Sequence, residues 1–206
     1  MTSDLKVLVV DDDDIVRDSL RALLESAGFE VAEYASATAL LADISPGVAG
    51  CVVTDIRMPG MDGLELQEEL TRSRIQLPVI VITGHGDVPL AVRAMKAGAL
   101  DFIEKPFDDE VLLESVRRGM AVGEESYAHS AYAANSAANL ATLTARERET
   151  MDLLVSGDAN KVIAHKLKIS PRTVEVHRGR VMEKMGARNL SDLVRSALAA
   201  GVNIDP

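Results

Sequence analysis

Short apolar runs and amphipathic stretches alternate through the first 119 residues. The runs lie at 5–10, 51–54, 77–82 and 99–103, with a weaker one at 29–34. Runs this short and this continuous read as strands covered on both faces. Between them, apolar residues recur at helical spacing. Ile15, Leu20, Leu23, Leu24 and Ala27 form one stripe that Gly28 closes, and Leu64, Leu66 and Leu70 form another within 63–72. A third stretch runs from Val88 to Lys96 ahead of Gly98, and a fourth from Asp108 to Arg118 with Asp108 placed to cap it. Five βα units in succession predict an α/β doubly wound, five-stranded parallel sheet with helices on both faces.

The pattern then changes twice. Residues 120–142 are rich in Ala, Ser and Asn and poor in large aliphatics. They read as a linker whose alanines permit a partial helix. From Leu143 the periodicity is helical throughout. Thr144-Ala145-Arg146-Glu147 is a capping-box pattern, and Gly157 ends the helix it opens. A second helix is predicted near 159–167. A third is opened by Ser170-Pro171 and ends near Gly186, and a fourth runs from Asn189 to Ala200 before Gly201. Four short helices, two joined by a tight turn, predict an all-α helix-turn-helix domain. The boundaries read from these changes are 1–120, a linker at 121–141, and 142–206.

Composition sharpens this division. The net charge of −10 conceals two opposed halves. Residues 1–119 carry 22 acidic and 11 basic side chains, whereas 141–206 carry 8 acidic and 11 basic ones. The first half repels nucleic acid and the second attracts it. A hydrophobic fraction of 47% with only 3% aromatics makes the core aliphatic. The single cysteine, Cys51, opens an apolar run and reads as a buried structural residue. One cysteine, no apolar run long enough to span a bilayer, and a beginning unlike a signal peptide give a cytoplasmic, non-membrane expectation.

The candidate chemistry falls where the predicted strands end, the usual place for ligands in such sheets. Asp11 and Asp12 follow the first run and Asp55 ends the second. Three carboxylates at one sheet edge call for a cation, and Mg²⁺ with oxygen ligands is the natural one. Asp55 precedes the turn-forming Ile56-Arg57-Met58-Pro59-Gly60 and is the expected phosphoryl acceptor. The backbone carbonyl of Arg57 is expected to complete the metal's protein ligands. Asp13 and Asp14 read as solvated residues, with Asp14 serving the helix N-terminus. Thr83, beside Gly84, offers a hydroxyl to a phosphoryl oxygen, and Lys105 offers an ammonium. Alone, Thr83 is an ordinary strand-end residue and Lys105 an ordinary surface lysine. Together the five residues on four strand ends point to phosphoryl chemistry. A cis bond before Pro106 would aim Lys105 inward.

These motifs resemble the receiver domains of two-component response regulators. The matching residues are Val9-Val10-Asp11-Asp12, Asp55 with Met58-Pro59-Gly60-Met61-Asp62-Gly63, Thr83, and Lys105-Pro106-Phe107. The stretches Thr83–Pro89, Ala94–Ala99 and Asp101–Phe107 are similar to the FixJ group in particular. The resemblance covers 5–118 and implies a flavodoxin-like receiver. It implies that Asp55 takes its phosphoryl group from the phosphohistidine of a sensor histidine kinase, with Mg²⁺ on Asp11, Asp12 and Asp55. It further implies that Thr83 and Phe102 form a switch and that phosphorylation drives homodimerisation through the face at 88–104. Arg57 and His85 flank the site where receivers vary, and neither is assigned a catalytic role. Phe102 is equally readable as a core residue.

In the basic half, Asn160–Arg180 holds Lys161, Lys166, Lys168, Arg172, Arg178 and Arg180 against the single acid Glu175. Such a concentration marks phosphate contacts, although a solvated basic face has the same composition. Val174, His177, Val181 and Met185 share the face predicted to meet the core. Arg172, Glu175, Val176 and Gly179 then face outward, suited to a major groove. Glu175 can accept from a cytosine amine, and Val176 can meet a thymine methyl.

The stretches Leu143–Glu149, Asn160–Ala164 and Arg172–Arg178 resemble the LuxR-type helix-turn-helix. That resemblance, over 143–200, implies a recognition helix from Ser170 to Met185. It places Lys161, Thr173, His177 and Arg178 near phosphates and gives the last helix a part in dimerisation on DNA. The combined expectation is a transcription factor switched by phosphorylation, acting on promoter DNA with RNA polymerase, most simply as an activator. It is not expected to be an enzyme beyond assisting its own phosphoryl transfer and dephosphorylation. An aspartyl-phosphate phosphohydrolase would need a second acid/base carboxylate and a substrate cap, and neither is evident. A phosphate sink with a protein-binding basic domain is the other alternative.

Overall fold

The structure is a computed structural model that describes residues 5–45, 47–84 and 88–203. His85 therefore lies outside the described residues. The chain divides into two compact units between Ala128 and His129.

In the first unit, β1 (Lys6–Val10), β2 (Glu30–Tyr34), β3 (Gly50–Asp55), β4 (Val79–Thr83) and β5 (Asp101–Glu104) form a parallel sheet in the order β2-β1-β3-β4-β5. Strand alternation splits the core in two. Val7, Val9, Cys51, Val53, Ile80 and Ile82 face α1 (Asp14–Ser26) and the first turns of α5 (Asp109–Ala141). Leu8, Val10, Val52, Val79 and Val81 face α2 (Ala37–Asp43), α3 (Gly63–Arg72) and α4 (Val88–Lys96). This double coverage explains why the inner strands β1, β3 and β4 are apolar at nearly every position, whereas the edge strands β2 and β5 carry acidic residues. Burial pushes the Cys51 thiol up to about 12, consistent with an inert core residue.

Two features depart from the sequence expectations. The helix α2 was not singled out from the sequence, although Ala37, Leu40, Leu41 and Ile44 recur at helical spacing and pack into the core. It is fixed by its cap, the Ser36 hydroxyl accepting from the Ala39 N–H, and by burial of Ala37 and Leu40. And α5 runs unbroken from Asp109 through the Ala/Ser/Asn-rich stretch to Ala141. Alanine's low helical cost carries the helix where apolar periodicity is missing.

In the second unit, α6 (Ala145–Val155), α7 (Asn160–Leu167), α8 (Pro171–Lys184) and α9 (Leu190–Ala199) surround Met151, Leu154, Ile163, Val174, Val181 and Leu193. The capping box on α6 is formed as its sequence predicts. Thr144 Oγ1 accepts from the Glu147 N–H, and Glu147 Oε2 accepts from the Thr144 N–H. The second helix ends on Lys168 in the left-handed conformation. Only Ile169 and Ser170 then remain before α8, whose first residue is Pro171 and whose N-cap Ser170 accepts from the Thr173 N–H.

Candidate functional site: a strand-end carboxylate pair and a basic helix face

Sheet register assembles the first site. Val10 pairs with Thr54, so Asp11 and Asp55 fall on adjacent strand ends. Thr83 pairs with Glu104, so Lys105 leaves the sheet beside it, and its N–H donates to the Thr83 carbonyl at 2.8 Å. Asp11, Asp55 and Thr83 are all buried. The order of the strands reverses between β1 and β3, with α1 and α3 on opposite faces, and this crevice is where open α/β sheets bind ligands. The Lys105–Pro106 bond is cis.

The Lys105 ammonium lies between the two carboxylates. Nζ donates to Asp11 Oδ2 at 3.1 Å and to Asp55 Oδ1 at 3.2 Å. Asp55 Oδ2 accepts the Arg57 N–H at 2.7 Å, and Asp11 Oδ1 accepts the Asp13 N–H at 2.9 Å. One cation shared by two anions leaves the pair with a net negative charge. Burial raises the Asp55 proton affinity above the ordinary carboxylate value. Lys105 and the Arg57 amide oppose the shift and Asp11 adds to it. Close backbone packing fixes the loop after Asp55. A Cβ on Gly63 would sit 2.3 Å from the Asp55 carbonyl oxygen, so α3 starts against the strand end only because that residue is glycine.

The aspartate run divides by role. Asp11 is buried, whereas Asp12 is exposed, and among the described residues no group of three His, Cys, Asp or Glu is gathered as a cation site. The structure thus brings together Asp11 and Asp55, with Lys105, and not Asp12. The N-cap of α1 is Asp13, which accepts from the Ile15 and Val16 amides. Asp14 is in the helix's first turn and pairs with Arg17.

The donors present still suit a hard divalent cation. Each Asp11 and Asp55 oxygen accepts one hydrogen bond, which leaves lone pairs available, and the pair carries uncompensated charge. Phe102 is half-buried and packs on the same side of the sheet as Val81 and Ala94.

The second site is a surface. On α8, Val174 and Val181 are buried with Met185 at the C-cap, and His177 is half-buried with an Nδ1 that has no partner. Arg172, Glu175, Val176, Gly179 and Arg180 are exposed, as are Lys161 on α7 and the cap residue Ser170. Thr173 is half-buried, and Arg178 reaches back to Asn160 Oδ1 at 3.5 Å. Lys166 is tied to Asp158, but Lys161, Lys168, Arg172, Arg178 and Arg180 have no ion-pair partner among the described residues. Their charge is free for an external anion.

The base of this helix is anchored. Lys184 Nζ donates to Glu147 Oε2 at 2.7 Å and to the Thr142 carbonyl at 3.0 Å. The Lys184 hydrogen bond, followed by that of the Thr144 amide, holds the Glu147 carboxyl down to about 2. Sequence pattern had assigned Lys184 and Glu147 no joint role, because a pair 37 positions apart has no local signal.

Comparison with known proteins identifies both domains. Residues 7–117 match the response regulator receiver domain, and 141–197 match the bacterial regulatory proteins of the luxR family. The transcriptional regulatory protein FixJ of Azorhizobium caulinodans is 52% identical over 202 residues, covering 98% of this chain and 96% of the relative. FixJ of Rhizobium meliloti is 51% identical over 200 residues, covering 97% and 98%. Among solved structures, the response regulator StyR superposes with a TM-score of 0.80 at 43% identity, covering 94% of this chain and 98% of that one. Full-length FixJ from B. japonicum matches with a TM-score of 0.55 at 46% identity, covering 98% and 100%. The chain belongs to the FixJ-like response regulators of two-component systems, in which a phosphorylatable receiver governs a LuxR-type DNA-binding domain that regulates transcription.

Proposed function

We propose that Asp55 is the phosphoryl acceptor and that its phosphorylation by a sensor histidine kinase drives dimerisation and promoter binding. The observation that carries this reading is the single ammonium of Lys105 held between the buried carboxylates of Asp11 and Asp55. An Asp55 oxygen attacks the phosphorus of a phosphohistidine. The new O–P bond forms as the P–N bond breaks, and the imidazole leaves with that electron pair and takes up a proton. Dehydration of Asp55 makes it the better nucleophile, and Lys105 meets the charge that collects on the phosphoryl oxygens. Thr83 supplies a hydroxyl at the same strand edge. Attack of water on the phosphorus later breaks the O–P bond, releases inorganic phosphate and returns the resting carboxylate, so the protein catalyses only its own turnover.

Receiver domains generally bind Mg²⁺ at this acidic pocket. Here its ligands would be Asp11 and Asp55 with the Arg57 backbone carbonyl, and Asp12 through water. When bound, it would neutralise the carboxylates and the incoming phosphoryl oxygens. Phosphorylation adds roughly −1.5 to −2 charge. Thr83 and Phe102 respond to it and present the 88–104 face to a second copy.

On DNA, Lys161, Ser170, Thr173, His177, Arg178 and Arg180 contact phosphates, while Arg172, Glu175 and Val176 face the bases. The bound dimer engages RNA polymerase, most simply to activate. The site of action is the cytoplasm. No helix among the described residues is long and apolar enough to cross a membrane.

The test compares wild type with Asp55→Asn, with and without a small phosphodonor and Mg²⁺, by sedimentation and DNA titration. Phosphodonor should dimerise wild type and tighten its sequence-specific binding, and Asn at 55 should abolish both effects. Wild-type binding indifferent to phosphodonor would move the constitutive and phosphate-sink readings ahead.

A further inference from the structure

The receiver unit is strongly acidic, and most of its cations are consumed in ion pairs. Among the described residues Arg57, Arg74, Arg93 and Lys96 are the exceptions, and two of them, Arg57 and Arg93, share one place. Both are exposed, and neither has an ion-pair partner among the described residues. They line one depression of about 360 Å³, together with Ile56, Asp62, Pro89 and Leu90.

The place matters as much as the charge. Arg57 is the residue whose N–H holds Asp55 Oδ2, so the depression adjoins the carboxylate that accepts phosphate. Its opposite wall is the first part of α4. Among the described residues, the single acid in the lining is already engaged. Asp62 Oδ1 accepts from the Leu64 and Glu65 amides at 2.8 and 2.7 Å as the N-cap of α3. Two guanidiniums against one helix-bound carboxylate give the described lining a positive balance. Guanidinium forks match carboxylates in shape as well as in charge. Arg57 and Arg93 are not needed for the fold, since both side chains are exposed and unpaired.

We propose that this depression is a carboxylate-binding subsite for the phosphodonor. It selects a donor segment that carries an acidic side chain beside its phosphohistidine, and so positions that segment over Asp55. This rests on the reading of Asp55 as the acceptor and adds to it the class of donor. Arg93 is a positioning residue: it touches the donor away from the reacting phosphorus.

The experiment measures the initial rate of Asp55 phosphorylation in the full chain. Three donors are used. Two are short phosphohistidine peptides that differ only in Glu or Gln beside the phosphohistidine, and the third is phosphoramidate, which has no carboxylate. Wild type should prefer the Glu peptide by about 3- to 10-fold at low salt, a preference that shrinks as salt screens it. Arg93→Gln should erase the preference and Arg93→Glu should reverse it; because Arg93 also lies within the 88–104 face, each peptide rate is divided by the same variant's phosphoramidate rate before the two peptides are compared. Equal rates for the two peptides in wild type, or a Glu preference that survives Arg93→Glu, would overturn the subsite while leaving Asp55 as acceptor. If phosphoramidate and both peptides fail to label Asp55, the acceptor reading falls and the subsite falls with it.

Discussion

The two units of this chain place their chemistry in opposite ways. In the receiver, function is made by topology. Asp11, Asp55 and Lys105 are far apart in sequence and meet only because β1, β3, β4 and β5 end at one edge. In the helical unit, the proposed DNA contacts are made by exposure. Arg172, Glu175, Val176 and Arg180 need only lie on the outer face of α8, and none depends on a distant partner. A buried, interdependent site should lose everything when one member is removed. An open face should lose its members one by one.

The sharpest way to separate these regimes is to remove Lys105. Lys105→Met leaves two adjacent buried carboxylates with no shared cation and takes away the donor for phosphoryl oxygens. Phosphotransfer from a small donor should slow by roughly 10²-fold or more, the scale of losing one charge-stabilising donor. Phosphodonor-independent DNA binding should not change. A loss below tenfold in a stopped-flow or gel assay would mean that Lys105 neutralises the resting site but not the transition state.

A smaller, graded effect is expected on the open face. Arg180 is exposed and has no ion-pair partner among the described residues. Arg180→Ala should weaken DNA binding several-fold on every sequence and reduce the slope of log K against log salt by about 1. Stability should stay within about 0.5 kcal/mol of wild type. A change confined to particular base positions would move Arg180 from the phosphate set to the base-reading set.

The same contrast accounts for what the sequence made legible. Continuous apolar runs gave the strands, and acids or a lysine at their ends gave the crevice, because a parallel sheet must gather its strand ends at one edge. Caps were legible wherever the signal is local, as at Thr144 with Glu147 and at Ser170 with Pro171. Asp14 was read as serving the N-terminus of α1 and does lie in its first turn, but the cap itself, Asp13, was not singled out, since in a run of four aspartates composition cannot say which residue ends the extended backbone. For the same reason Asp11 and Asp12 looked equivalent, yet one is buried and the other exposed. The unbroken length of α5 was hidden by its lack of an apolar stripe. Arg93 drew no attention because nothing local ties an α4 residue to the loop after Asp55.

Two carboxylates, one per unit, give the comparison its finest test, because their ionisation is pulled in opposite directions. Glu147 is held down to about 2, chiefly by Lys184. Its ionised form is favoured in the folded state, so its contribution to stability is complete above the ordinary glutamate value. That contribution drains away as pH falls from there through about 2. Asp55 is raised by burial, so its ionised form costs the folded state. Stability from that group is present below the ordinary aspartate value and is lost as pH rises through the raised one.

Acidification should therefore loosen the second unit while relieving the receiver. Hydrogen exchange resolved by element can read both in the intact chain. Protection of α6 and the C-terminal end of α8 should fall as pH drops below the ordinary carboxylate range, while protection of β1 and β3 should hold longer. Lys184→Met removes the largest cause of the Glu147 shift. It should move the loss of α6 protection to higher pH and leave the receiver's profile where it was. If α6 protection in Lys184→Met follows the wild-type curve, the Thr144 amide rather than Lys184 carries the capping box, and the anchor between α6 and α8 has no energetic weight.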